Sequence, residues 1–338
     1  MGPHPCPVSG RVIRNEAAMS TPFTLIEGGL TGAVTLRAEL RHPASLREPE
    51  VEAWRSLMGR ALEPSVYADP DFTLTMAQHL AEGQTLALLM VWQEGFRAPI
   101  LRGVLPLRLP ARQGLAGRAQ LWRLPLAGTA EAAVDADHAA AVLRAALDHL
   151  RHSPLRLVDL LWPDLRPDSG LAVALGEAAG SSGRRLAVAD QAPAPAPAPA
   201  PLTLPAGRTS LERVRDPVRL RGAVEHFLVL DARRGGQSLL ADPAAATAFR
   251  VVTRRFAHRR QAWVDLVRRD GEVVAAAIHL ATGRHDTIWR QAGLFLAEPS
   301  VHAPEPARVE AVVTVAGEGR VQPPRPRTAL RRLLRLRA

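Results

Sequence analysis

Ten residues of unbroken Ala-Pro alternation, 192–201, constrain this chain more than any other feature. Every second residue there has a fixed φ and no backbone N–H, so neither a helix nor a sheet ladder can run through it. The stretch reads as an extended polyproline linker of about 3 Å per residue. It divides 338 residues into two parts, each long enough to bury a core. The expected organisation is a poorly ordered segment at 1–32, a first lobe at 33–190, the linker at 191–206, a second lobe at 207–317 and an Arg-rich tail at 318–338.

Both parts mix helix and strand signals. In the first, Asp69-Pro70 supplies an N-cap and first-turn proline, followed by Phe72, Met76 and Leu80 at helical spacing. Residues 85–92 and 100–107 are apolar and strand-length, joined by a polar turn. Asp137 is expected to cap a helix with Leu143, Ala146, Leu147 and Leu150 on one face, and 155–162, 170–179 and 185–189 continue as strand, helix, strand. After the linker, Asp216-Pro217 and Asp242-Pro243 each open a helix, and Gly235-Gly236 falls where the first should stop. Asp270-Gly271 then joins 261–269 to 272–281 as a hairpin, with 284–290 a further strand. The shared order, a helix opened by Asp-Pro and then a strand pair, points to an internal duplication in an α/β protein.

The net charge of +10 raises the question of nucleic acid. Seven arginines and no acid lie in the last nineteen residues, so three of those ten charges remain for the body. Lys does not occur anywhere, and one Tyr and seven Phe give few platforms for base stacking. A nearly neutral body with a basic tail is not a nucleic-acid groove. The tail's Leu330, Leu333, Leu334 and Leu336 among arginines suggest a short amphipathic helix, a marginal contact for a membrane surface. The single cysteine, Cys6, excludes an intramolecular disulfide and a thiolate metal cluster. No apolar run reaches membrane-spanning length, and Arg11, Arg14 and Glu16 interrupt the start, with Met19 an equally good initiator. The expected location is therefore the cytoplasm.

The common catalytic signatures are missing: no Gly-x-Ser-x-Gly elbow, no Walker loop, no dinucleotide glycine fingerprint and no His-Glu-x-x-His helix. His149 and His152 stand three apart with no third ligand nearby in sequence, and read as a solvated helix end. His285 and Asp286 are adjacent on a strand and so point to opposite faces, which is wrong for a base and its orienter.

One resemblance adds to this. Glu225-His226-Phe227-Leu228, Arg233-Arg234-Gly235-Gly236-Gln237-Ser238 through Asp242-Pro243, Phe249, Asp270-Gly271-Glu272 and Trp289-Arg290-Gln291-Ala292 resemble the CelD-like acyltransferases of the GNAT superfamily, the cellulose-biosynthesis proteins. Gly103-Val104-Leu105-Pro106-Leu107 is similar to that family's early strand. The resemblance implies a GNAT-like fold in two similar lobes in tandem, and transfer of an acyl group from acyl-CoA, acetyl-CoA in the simplest case, to an amine, hydroxyl or sugar. It implies a cleft where two central strands splay, N–H donors at a helix start for the diphosphate, and no metal. It also implies a role in envelope or exopolysaccharide synthesis, with Arg234, Trp289 and Arg290 at the substrate.

Two departures keep an alternative open. The family's lysines at two Trp-Lys sites are arginines here, Arg234 and Arg290, and its Ser-Pro-Gly loop is not recognisable in 295–306, where Glu298 and Glu305 would repel a diphosphate. The alternative is a catalytically degenerate GNAT-fold scaffold; a second one is a basic-tailed protein binding nucleic acid or anionic membrane. Bland readings stand beside each residue: Trp289 as core, Arg234 as a solvated cation at a helix end.

Overall fold

The computed structural model describes residues 24–26, 35–95, 98–110, 117–155, 157–190, 208–233, 238–283, 285–293 and 308–314. The linker, the tail, Arg234, Gly235, Gly236 and 295–306 lie outside the described residues.

The first lobe runs β1 (Thr24–Ile26), β2 (Leu36–Arg41), α1 (Glu48–Met58), α2 (Pro70–Leu80), β3 (Leu86–Gln93), β4 (Ile100–Arg108), β5 (Gly117–Leu121), β6 (Ala133–Val134), α3 (Ala139–His152), β7 (Leu157–Leu165), α4 (Gly170–Ser181) and β8 (Leu186–Asp190). The second runs β9 (Thr209–Val214), α5 (Pro217–Ala232), α6 (Pro243–His258), β10 (Ala262–Arg269), β11 (Glu272–Thr282) and β12 (His285–Gly293), after which comes β13 (Val309–Thr314). The sheets order as β1-β2-β3-β4-β5-β7-β13-β8, with β6 also on β4, and as β12-β11-β10-β9. From β2 in the first lobe and β9 in the second, the order is a strand, two helices and three further strands, and β2-β3-β4-β5 and β9-β10-β11-β12 pair in the same antiparallel sequence.

The Asp-Pro signals act as read. Asp69, Asp216 and Asp242 each accept a backbone N–H two residues on, ahead of a proline at the helix start. At the hairpin, Asp270 (φ 51°) and Gly271 (φ 89°) are both left-handed, as a primed two-residue turn demands. The start of α3 differs from expectation: Asp135, not Asp137, caps a 3-10 turn at Ala136–His138, and His138 is the α3 N-cap. Its inner face, Val142, Leu143, Ala146, Leu147 and Leu150, is buried on the first sheet. Gly103 on β4 lets α3 approach, since a Cβ there would stand 2.4 Å from Val142 Cγ1.

Two expected boundaries are corrected. Residues 309–314 belong to the first sheet and not to the second lobe: β13 lies between β7 and β8, with Val312 opposite Leu161 and Ala311 opposite Val188. Its Val309, Ala311 and Val313 fill the core under α3 and α4, so the second lobe is an insertion ahead of the first lobe's last strand. The segment 1–32 also holds a strand, β1, on the free edge of β2.

The lobes share a core. Phe72 and Met76 of α2 join Phe227, Phe249 and Trp289 in one buried cluster. Beside it, Arg259 of α6 donates to Asp69 at 2.9 and 3.0 Å and to Asp71 at 2.7 Å, and Arg255 to Thr75 at 3.1 Å. Burial pushes the Asp69 carboxyl up to about 6, against the pull of Arg259. Burial also acts to raise Asp71, but hydrogen bonds and charge from Arg55 and Arg259 outweigh it and hold that carboxyl below its ordinary value. No helix among the described residues is long and apolar enough to cross a membrane.

Candidate functional site

The pairing of β5 with β7 is the one parallel pair in the two described sheets. It covers Gly117 to Gln120 against Leu157 to Leu161 and then stops. β7 continues to Leu165, whereas the chain leaves β5 after Leu121 and regains β4 only at Ala133. The excursion between them is a finger. Trp122 N–H donates to Pro106 O at 2.8 Å, Leu124 N–H to Thr129 O at 2.8 Å, and Arg123 grips Asp164 of β7 through both carboxylate oxygens.

The fingertip reaches the second lobe. Leu126 (φ 61°) is a non-glycine residue in the left-handed region, a conformation that costs on the order of 1 kcal/mol or more. Two donors hold it there: Trp289 Nε1 and Arg290 Nη2 both reach the Leu126 carbonyl, at 3.1 and 3.0 Å. The structure thus brings Trp289 and Arg290 to one acceptor. Trp289 is 4% exposed, stacked on Phe249 at 4.7 Å and edge-on to Phe72 at 5.3 Å, which makes it core and seam at once.

Around the finger's return lie Tyr67, from the α1–α2 connection, Glu131, Arg290 and Arg308, the residue preceding β13. Glu131 keeps some accessible surface, yet burial of its carboxyl pushes it up to about 7; the charge of Arg308 opposes and that of Glu63 adds. Burial likewise pushes the Tyr67 hydroxyl up to about 12, with Arg290 and Arg308 pulling the other way. Arg308 Nε is buried without a hydrogen-bond partner among the described residues. A carboxyl near 7 beside a cation and a phenol, at the fork of two diverging strands, can accept a proton from an amine or hydroxyl and steady an anion.

Sequence reasoning missed Tyr67, Glu131 and Arg308. The available signals were thin: Tyr67 is the only tyrosine, and Glu131 is a lone acid in the run Thr129-Ala130-Glu131-Ala132-Ala133.

An acyl-CoA diphosphate needs free N–H groups at a helix start, and acids stand near both candidate starts of the first lobe. In the 3-10 turn ahead of α3, the Asp135 carboxylate accepts Asp137 N–H and is held by Arg60 and Arg102 at 3.0 and 2.8 Å. At α4, Glu63 accepts Leu171 N–H at 2.9 Å and Ser169 accepts Ala172 N–H at 3.1 Å. The first N–H groups of α4 are therefore taken, whereas α3 has no side-chain cap. No group of three or more His, Cys, Asp or Glu side chains suited to a metal occurs among the described residues.

Residues 204–293 match the family model of the acetyltransferase (GNAT) domain. No curated protein matches the chain. Among solved structures, a tandem GNAT protein from the clavulanic acid biosynthesis pathway is similar at 15% identity, over 84% of this chain and 100% of that chain, with a TM-score of 0.31. The chain is an α/β protein, and the residues matched to the acetyltransferase (GNAT) domain are those of its second lobe.

Proposed function

We propose that the protein is a GNAT-type N- or O-acyltransferase and that the fork holding Glu131 is its acceptor site. What supports this reading is the position of Glu131 on the return of the finger that leaves β5, beside Arg308, with burial pushing its carboxyl up to about 7. Acyl-CoA supplies, when bound, the activated acyl group. Glu131 takes the proton from the attacking amine or hydroxyl as its bond to the acyl carbon forms and the thioester C–S bond breaks, CoA leaving as its thiolate. Arg308 draws an acidic or carboxylate-bearing acceptor toward it, and Tyr67, neutral at pH 7, donates a hydrogen bond. Arg290 keeps the fingertip, and with it the finger that ends at Glu131, in register with the second lobe. The resemblance to the CelD-like proteins supports a sugar or amino-sugar acceptor of envelope or exopolysaccharide synthesis.

A second reading, a GNAT-fold scaffold without transferase activity, is favoured by Glu63, which takes an N–H at the α4 start, and by Asp135 in the turn ahead of α3. Calorimetric titration with acetyl-CoA separates the two. Saturable binding together with acetyl-CoA consumption in the presence of an amino sugar supports transfer; no binding up to millimolar acetyl-CoA supports the scaffold.

A further inference from the structure

We propose that the cleft between α5 and α6 binds a small amphipathic anion, an alkyl body ending in a phosphate or carboxylate. This goes beyond acyl transfer at the fork, from which the cleft is separate in every lining residue. The first half of α5 and the second half of α6 leave a space of about 440 Å3 between them, within the range of small-ligand sites, about 300 to 1,000 Å3. Leu220, Val224 and Ala257 form an apolar floor that is itself almost fully buried.

The rim has the opposite character. Arg250, Arg254 and His258 follow one another at four-residue spacing along α6 and all line the cleft, while Arg221 lines it from α5. Glu225 is the one acid at the rim, and Arg250 engages both of its oxygens, at 2.7 and 2.8 Å. Arg221 and Arg254 are exposed and donate no hydrogen bond among the described residues, Arg221 acting on Glu225 through charge alone. Two cations on facing helices therefore stand over an apolar floor. Like charges at four-residue spacing destabilise a helix by a few tenths of a kcal/mol per pair, which a surface free of other demands relieves with acids. The corresponding helix pair of the first lobe does so: Arg55 is met by Glu48, Glu52 and Asp71. Apolar floor and cationic rim together complement a chain with an anionic head.

Calorimetry on the full chain, with decyl phosphate and decanoate below their micellar concentrations, tests this. Saturable one-to-one binding of either is expected, the tighter of the two identifying the head group. Arg221→Ala and Arg254→Ala should each weaken it about tenfold. Both side chains are exposed, so an unchanged melting temperature shows that the variants fold. Val224→Trp, which fills the floor, should abolish binding. Unchanged affinity in both arginine variants would overturn the proposal, as would equal binding of decyltrimethylammonium, or inorganic phosphate binding as tightly as decyl phosphate.

Discussion

Replacing Asp69 by Asn isolates the electrostatics of the seam between the lobes. Asp69 is fully buried, accepts Asp71 N–H as the α2 cap and is held by Arg259. Its carboxyl stands at about 6, against 3.8 for the ordinary group. Because the folded value is raised, its stabilising contribution is complete below the unfolded value and is lost as pH rises through about 6. A shift of roughly two units at ~1.36 kcal/mol each amounts to about 3 kcal/mol in all, of which about 2 to 2.5 kcal/mol is lost between pH 4 and pH 7. Asn keeps the cap and the shape but does not titrate. Stability relative to the native chain should therefore shift in favour of Asp69→Asn by about 2 to 2.5 kcal/mol across that interval. Asp71 has the opposite sign, its contribution being present above its unfolded value and lost as pH falls, so most of its change lies below this interval. Urea unfolding at pH 4, 5, 6 and 7 measures that difference. A flat difference from pH 4 to 7 would refute the reasoning.

Arg259→Ala should destabilise by about 2 to 4 kcal/mol at pH 7, because it strips two buried carboxylates of a shared cation; its one-quarter exposure keeps the loss toward the low end, and urea midpoints read it. Gly103→Val should cost about 3 kcal/mol or more and lower the melting temperature, since even a Cβ meets Val142 of α3 at 2.4 Å. Gly271→Val should cost about 1 kcal/mol or more at the hairpin, where φ is 89°, and refolding of this variant should restore the native circular dichroism spectrum at a lower midpoint.

The elements legible in the sequence were those with local causes. Asp-Pro starts fix helix beginnings through the cap and the proline ring. Asp270-Gly271 fixes a hairpin through two left-handed residues. The apolar face of α3 follows from its own spacing. What the sequence hid depends on distant partners. Val309, Ala311 and Val313 carry no local mark of either lobe, and only the open place between β7 and β8 assigns them to the first sheet. The site was hidden for the same reason. Trp289 and Arg290 stood out through their resemblance to a family motif, but their shared partner is the Leu126 carbonyl, 163 and 164 residues away in sequence. Glu131 carries no motif at all; its chemistry comes from burial and from Arg308, far along the chain. Asp137 stands nearest the helix in sequence, whereas the buried Asp135, gripped by Arg60 and Arg102, caps the 3-10 turn that leads into it.

The most direct test of the account is the pH dependence of acetyl transfer from acetyl-CoA to an amino-sugar acceptor, measured for the native chain and for Glu131→Gln. A general base with a carboxyl at about 7 must be ionised to work, so the native rate should rise with pH through about 7 and level off above it. The Gln variant should lose about 10²-fold or more in rate, along with that rising limb. A native profile without a rise near 7, or a Glu131→Gln enzyme with the native rate and profile, would contradict the assignment of the fork as the acceptor site.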